Sequence, residues 1–394
     1  MTAHRPPAPP PIAEAAVDLD AIGANIRLIA RISGTRVMAV VKADGFGHGL
    51  VPVARAALAG GATWLGVTSA AEALALREAG LDAPMLTWLH PPDEDFAPLL
   101  RAGVDVSVSS VAHLAGVAES AVRAGTRAEV HLKADTGMGR GGATLDDWPR
   151  LVAQARELER TGRARVRGVW THLASADQPG ARSVDRQLVS FEAALAVADA
   201  AGLRPELRHV ANSAGALAVP ASRYDLVRIG IACYGVEPVL GHRYGLRPAM
   251  TLRARAILVK RVPAGTEISY GGDYTTPDET TLVLVPIGYA DGVPRRAATA
   301  ARVWIGGRRH RIAGRISMDQ FVVDVGDTPV TAGDEVVLFG TGDHGEPTVE
   351  EWAEWADTNP HEVLTRIGPR VTRRYLPATA PGANARTREE NAHA

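Results

Sequence analysis

The chain has 394 residues, 46% of them apolar, with a formal net charge of -1 at pH 7. This is length enough for one large domain plus a smaller one, and so even a balance gives neither nucleic acid nor an anionic membrane an electrostatic reason to bind. Cys233 is the only cysteine, which excludes an intrachain disulfide and a cysteine metal site. No apolar run approaches the roughly 20 residues of a membrane span, and the proline-rich start lacks a signal peptide's apolar core, so a cytoplasmic protein is expected.

Residues 1–12, with Arg5-Pro6-Pro7-Ala8-Pro9-Pro10-Pro11, read as a disordered tail. Ala16-Val17-Asp18-Leu19-Asp20 reads as a short strand whose Asp20 caps the next helix, and Ile26, Leu28 and Ile29 give that helix a buried face. The run Arg36 to Val41 reads as a strand buried on both faces, ending in Lys42. The stretch Ala43-Asp44-Gly45-Phe46-Gly47-His48-Gly49 reads as a tight strand-to-helix turn.

One unit then recurs. Pro52–Leu58, Ala71–Ala79, the stretch ending at Leu99–Ala102, Val111–Ala124, Trp148–Glu159 and Ser183–Ala201 read as helices. Trp64–Val67, Met85–Leu89, Asp105–Val108, Ala128–Leu132, Arg165–Trp170, a run ending at His209-Val210, and Leu226–Ile229 read as strands. About eight such alternations without a dinucleotide-binding fingerprint predict an α/β fold with an N-terminal (β/α)8 TIM-like barrel over residues 13–245. Its first strand is expected to pack with the second domain. From about residue 246 helices give way to short alternating runs separated by glycine turns, such as Gly271-Gly272 and Gly306-Gly307. They predict a C-terminal antiparallel β domain over 246–377, with one helix at Val349–Ala356 and a last strand near Arg370–Tyr375. Residues 378–394 read as a second disordered tail.

Chemistry in such a barrel gathers at the carboxyl ends of the strands. Lys42, Lys133 and Lys260 are the only lysines among 43 basic residues. A lysine kept at a strand end in an arginine-rich chain suggests chemistry that arginine cannot do: an amine that loses its proton and forms a Schiff base. A structural lysine snorkelling to water accounts for the same residue equally well. Other strand ends carry Lys133 to Arg140, Thr171-His172, Ala211-Asn212-Ser213 and Arg228 to Ile231. The Ser213 hydroxyl with the Gly230–Ile231 backbone suits a phosphate. A Schiff-base lysine beside a phosphate site points to pyridoxal phosphate (PLP).

These stretches resemble the PLP-dependent alanine racemases. The resemblance is carried by Val40 to Gly49, His131 to Arg140, Thr171-His172, Ala211-Asn212-Ser213 and Val227 to Gly235. In the second half it is carried by Ile268 to Gly271, Val285 to Gly292 and Gly314 to Gln320. It implies that Lys42 bonds PLP and acts as the base on one face of the substrate Cα, while Tyr270, contributed by the other subunit of a homodimer, acts on the opposite face. It implies that Ser213, Gly230 and Ile231 hold the phosphate, that Arg228 faces the pyridine nitrogen with His172 close by, and that Arg140 and Met318 hold the substrate carboxylate. Tyr289 would line the entrance and Asp319 would support a loop. Lys133 would be carbamylated and orient Arg140, with a plain ion pair to an acidic neighbour as the alternative. The same resemblance implies a cytoplasmic enzyme supplying D-alanine for cell-wall peptidoglycan.

His48 is expected in a turn, Asp135 and Asp291 as loop-orienting groups, and the tryptophans in packing; the histidines lack metal-ligand spacing. Phe46 and Pro369 stand where relatives often carry tyrosines, and Asn359-Pro360-His361-Glu362 replaces a more usual Ile-Asn-Tyr-Glu. Weaker PLP retention than in a relative with both tyrosines is therefore expected. A broad small-amino-acid racemase acting also on serine remains an alternative. A PLP-dependent decarboxylase fits less well, because Arg228 stands where an acid is usual, and a non-catalytic PLP carrier would lack the β domain.

Overall fold

The computed structural model describes residues 11–91 and 93–376. The expected tails therefore lie outside the described residues, apart from Pro11 and Ile12. Ile12 is tied in, its carbonyl accepting the Arg255 N–H at 3.0 Å. The chain forms two compact units: Leu19–Arg247, and a second that joins the segment ending at Asp18 to the residues from Pro248 onward. The first strand, β1 (Ala13–Asp18), thus belongs to the second unit, and α1 (Leu19–Ser33) opens the first. Asp20 lies inside the first turn of α1 rather than before it.

Eight parallel strands build the first unit: β2 (Arg36–Val40), β3 (Trp64–Val67), β4 (Met85–Thr87), β5 (Asp105–Val108), β6 (Ala128–Lys133), β7 (Ala164–Trp170), β8 (Leu207–His209) and β9 (Leu226–Ile229). They run in chain order, and β9 returns to pair with β2, Met38 opposite Arg228. Their near-continuous burial matches the continuous apolar runs of the sequence. The helices between them are α2 (Leu50–Ala59), α3 (Ala70–Glu78), α4 (Ala97–Arg101), α5 (Val111–Ala124), α6 (Trp148–Arg160), α7 (Arg182–Ala200) and the short α8 (Ser213–Ala218). Caps explain several starts: Ser69 and Glu72 form a reciprocal capping box on α3, and the Ser110 hydroxyl accepts the His113 N–H on α5. Met38, Trp64, Leu86, Leu207 and Leu226, one from each of five strands, form a buried cluster within the barrel.

The barrel has one seam. β8 and β9 form no ladder and are held by irregular bonds, Arg228 N–H to Ala211 O at 2.9 Å and Asp225 N–H to Arg208 O at 3.0 Å.

Lys42 does not end a strand. β2 stops at Val40, and Lys42 opens a turn in which Ala43, Asp44, Gly45 and Phe46 all have φ between 52° and 60°. L side chains resist that conformation, so the local sequence alone does not encode it.

The second unit is a nine-stranded sheet. After β1 it contains β10 (Met250–Arg255), β11 (Leu258–Val262), β14 (Thr280–Val285), β15 (Arg302–Ile305), β16 (Arg308–Ala313), β17 (Phe321–Gly326), β18 (Glu335–Phe339) and β19 (Thr372–Leu376), while β12 (Glu267–Ile268) and β13 (Tyr274–Thr275) form a separate ribbon. Buried and open positions alternate along β10, β15 and β17, as in a sheet with one covered face. β1 is antiparallel to β10 and parallel to β19. Beyond α9 (Val349–Trp355) stands a second helix, α10 (Pro360–Thr365), which the sequence reading missed. Its signals were present: Asn359 accepts the Glu362 N–H at 3.0 Å, and Pro360 occupies the first turn.

A Cβ on Gly168 of β7 would lie 2.3 Å from the Nδ1 of buried His131. Gly168→Ala is therefore expected to cost about 2 kcal/mol by overpacking, read as a lower midpoint in chemical unfolding.

Candidate active site

Arg228, on β9, organises the carboxyl-end rim of the barrel. Its guanidinium donates to three carbonyls, Thr171 O at 2.8 Å, His209 O at 2.9 Å and Val210 O at 3.0 Å. It also reaches His209 Nδ1 and His172 Nδ1, each at 3.2 Å, and stacks over Trp170 at 4.6 Å. No carboxylate pairs with it among the described residues. Burial lowers its pKa from the ordinary arginine value, and the carbonyls solvate the charge without cancelling it.

That donor set fixes a chain of tautomers. Arginine can only donate, so His209 Nδ1 accepts and His209 Nε2 carries the proton. It faces His131 Nδ1 at 2.8 Å, which must accept, and His131 Nε2–H then donates to Asp105 at 3.0 Å. Asp105 is itself bound by Arg167. The sequence reading overlooked His209, Asp105 and this use of His131; the available signal was Gly168, where a Cβ would collide with the imidazole.

The same logic makes His172 Nδ1 an acceptor. Burial, then Arg228, Arg140, Lys133 and Lys42, push the His172 pKa down to about 3. Burial, Arg228 and Arg140 bring Lys133 down to about 8 against the pull of Asp135. Lys133 stands over Trp170, Nζ 4.6 Å from the ring centre, and Asp135 is the acidic group acting on it. Burial and Arg140 lower the Lys42 amine, and Glu72 opposes them. Lys42, Lys133, Arg140, His172 and Arg228 thus share one electrostatic neighbourhood. The loop carrying the exposed Arg140 is shaped by Asp135, which accepts the N–H groups of Gly137, Met138 and Gly139.

The Ser213 hydroxyl oxygen accepts the N–H of Gly230 at 3.1 Å and of Ala232 at 3.3 Å. The first of these bonds brings the Ser213 hydroxyl and the Gly230 N–H, both expected to face a phosphate, together. Gly230 contributes by lacking a Cβ, since one would meet the Phe46 ring at 3.2 Å. That ring stacks on Tyr234 at 4.7 Å, and the Tyr234 hydroxyl donates to Val40 O at 3.1 Å. His48 is buried beside Tyr234, at 4.6 Å between ring centres.

The remaining candidates lie in the second unit. Tyr270, 73% exposed, opens a short turn after Ser269, whose hydroxyl donates to Arg315 O at 2.9 Å. Tyr289 and Met318 sit on two turns stitched by Tyr289 N–H to Ser317 O at 3.1 Å and Ala290 N–H to Met318 O at 3.0 Å. Arg370, directly after Pro369, clamps both turns by pairing with buried Asp291 and with Asp319, each at 2.7 Å.

Comparison with known proteins follows this geometry. Family models described as "Alanine racemase, N-terminal domain" and "Alanine racemase, C-terminal domain" match residues 17–238 and 249–375. An alanine racemase of Thermobifida fusca is 53% identical over 93% of this chain and 98% of its own. One of Frankia casuarinae is 53% identical over 92% and 96%. The alanine racemase structure from D-cycloserine producing Streptomyces lavendulae superposes with a TM-score of 0.93 at 47% identity, covering 94% of this chain and 99% of that one. That from Streptomyces coelicolor gives 0.91 at 50% identity, over 93% and 98%. Fold and relatives together define an isomerase of amino acids on a barrel-plus-β architecture. The chain belongs to the alanine racemase family.

Away from the rim, His113 has a buried Nε2 without a partner among the described residues, and burial beside His90 lowers its pKa to about 4. His113 and His172 are neutral when folded, yet both take up protons below their ordinary value of 6.5 once unfolded. Stability is therefore expected to fall as pH drops from about 6.5 towards 4. Urea midpoints at neutral and mildly acidic pH should show the loss, and His113→Leu should flatten it.

Proposed function

We propose that the protein interconverts L-alanine and D-alanine using bound pyridoxal phosphate, as a homodimer. The observation that carries this reading is a desolvated Lys42 amine and an unneutralised Arg228 that both act on His172 at the rim of a racemase-family barrel. The residues suit the cofactor. Lys42 offers a lysine amine held below its usual pKa, the Ser213 O–H and the Ile231 N–H suit a phosphate, and Arg228 offers a fixed cation to a ring nitrogen. Bound pyridoxal phosphate supplies the electron sink that acidifies the substrate Cα–H.

The chain's own groups do the rest. Lys42 holds or returns the proton on one face of the Cα, and Tyr270 of the partner subunit does so on the other. Arg228 does not yield its proton readily, so it would leave the nitrogen of a bound ring unprotonated and keep the sink modest, which would favour simple reprotonation at Cα. Arg140 and the Met318 N–H hold the substrate carboxylate, and Tyr289 lines the entrance. The Arg370 clamp keeps Asp319 and Met318 in place. At a pKa of about 8 a fraction of Lys133 is neutral near physiological pH, as reaction with carbon dioxide requires; the carbamate's negative charge would orient Arg140.

Circular dichroism of L-alanine incubated with the purified protein should decay to zero, and parallel runs with L-serine measure the breadth of the reaction. An unchanged L-alanine signal would defeat the reading. Lys42→Ala and Tyr270→Phe should each lower kcat by about 10³-fold, the usual scale of a lost acid–base group, with the dimer intact in gel filtration. Phe46→Tyr should tighten cofactor retention by about tenfold if its new phenol reaches the phosphate, measured by equilibrium dialysis.

A further inference from the structure

The turn that presents Lys42 is costly. Ala43, Asp44 and Phe46 are all left-handed at φ 53°, 53° and 52°, with Gly45 between them at 60°, and such residues persist only where surrounding contacts hold them. Several bonds come from within the segment: Gly45 N–H to Val41 O at 2.9 Å, Gly47 N–H to Ala43 O at 3.0 Å, and Leu50 N–H to the Asp44 carboxylate at 2.8 Å. One comes from a different element. The Ala43 N–H, directly after Lys42, donates to Glu72 Oε1 at 2.7 Å.

Glu72 is unusually committed. Its other oxygen, Oε2, accepts the Thr68 N–H at 3.0 Å, the Thr68 hydroxyl at 3.0 Å and the Ser69 N–H at 3.3 Å. The capping box of α3 needs only that second oxygen. The first is left to grip the neighbouring turn, so one carboxylate joins the start of α3 to the backbone beside Lys42.

We propose that Glu72 is the positioning residue of Lys42: it fixes the left-handed turn through the Ala43 N–H and sets its negative charge against that of Arg140 at the amine. This rests on Lys42 being the residue that bonds the cofactor. The charged groups acting on the amine from this unit are Arg140, which lowers its pKa, and Glu72, which raises it. Lys42 in turn acts on the neutral His172.

The test uses full-length protein titrated with pyridoxal phosphate. The lysine-bound cofactor is followed by its absorbance across pH, fixed with borohydride and located by peptide mass. In Glu72→Gln an amide N–H₂ must face either the Ala43 N–H or the Thr68 and Ser69 N–H groups, donor against donor. Retention should weaken by about tenfold, as for loss of a charged hydrogen bond. The pH at which half the linkage forms should move down, because an ammonium without its anion loses its proton more easily. Glu72→Asp keeps the charge but is too short to make both contacts, so retention should fall while that midpoint stays. Ser69→Ala removes the hydroxyl cap of α3 alone and should lower thermal stability with both cofactor readouts unchanged.

Glu72→Gln that loosens the cofactor yet titrates at the wild-type midpoint would reduce Glu72 to a helix cap and overturn the proposal. So would wild-type retention in Glu72→Asp, which decides the matter if Glu72→Gln fails to fold. If borohydride fixes no cofactor on Lys42 of the wild-type chain, the underlying reading fails and this proposal falls with it.

Discussion

A guanidinium buried without a carboxylate governs the chemistry of the barrel rim. Arg228 is satisfied by three carbonyls, two imidazoles and an indole face. Carbonyls and neutral rings stabilise a cation but leave its field intact, whereas a paired carboxylate would have cancelled it. Burial first, and that field after it, disfavour the charged forms of the surrounding bases. The field acts on His172, His209 and Lys133 in one direction, away from the charged form. Both lysines of the rim are shifted towards the neutral amine, Lys42 by burial and Arg140, and Lys133 by burial, Arg228 and Arg140, a role closed to arginine.

Much of the barrel was legible because parallel strands covered on both faces are built mostly from apolar residues. Trp64–Val67, Asp105–Val108 and Leu226–Ile229 run where their composition places them. The segment after β2 was legible as a turn, but its left-handed conformation was not. Ala43 and Asp44 look ordinary, and their conformation is imposed by bonds from Glu72 and from the following segment. The rim histidines were hidden for another reason: His131 and His209 meet across 78 positions of chain, and no periodicity links them. Helix α10 was masked by comparison with other sequences, which turned Asn359 and Pro360 into departures when they are a cap and a first-turn proline.

The seam between β8 and β9 ties architecture to site. With no ladder there, the Arg228 side chain crosses to carbonyls at the ends of β7 and β8, doing across space what strand pairing does elsewhere. The Arg370 clamp in the second unit follows the same pattern, one arginine binding carboxylates from two turns at once. In both places a planar fork of donors does what a single lysine ammonium could not.

The placement of β1 between β10 and β19 sets an order of assembly. The barrel unit lies within one continuous stretch, so it can close while later residues are still being made on the ribosome, as domains generally fold in turn during synthesis. The sheet of the second unit pairs residues near the start with residues near the end, such as Glu14 with Thr372, and so demands contacts of very high sequence separation. Its first strand must wait for β10, whose Met250 pairs with Val17, before either edge is covered, and for β19 before the second is, which makes that strand the segment most in need of protection in the nascent chain.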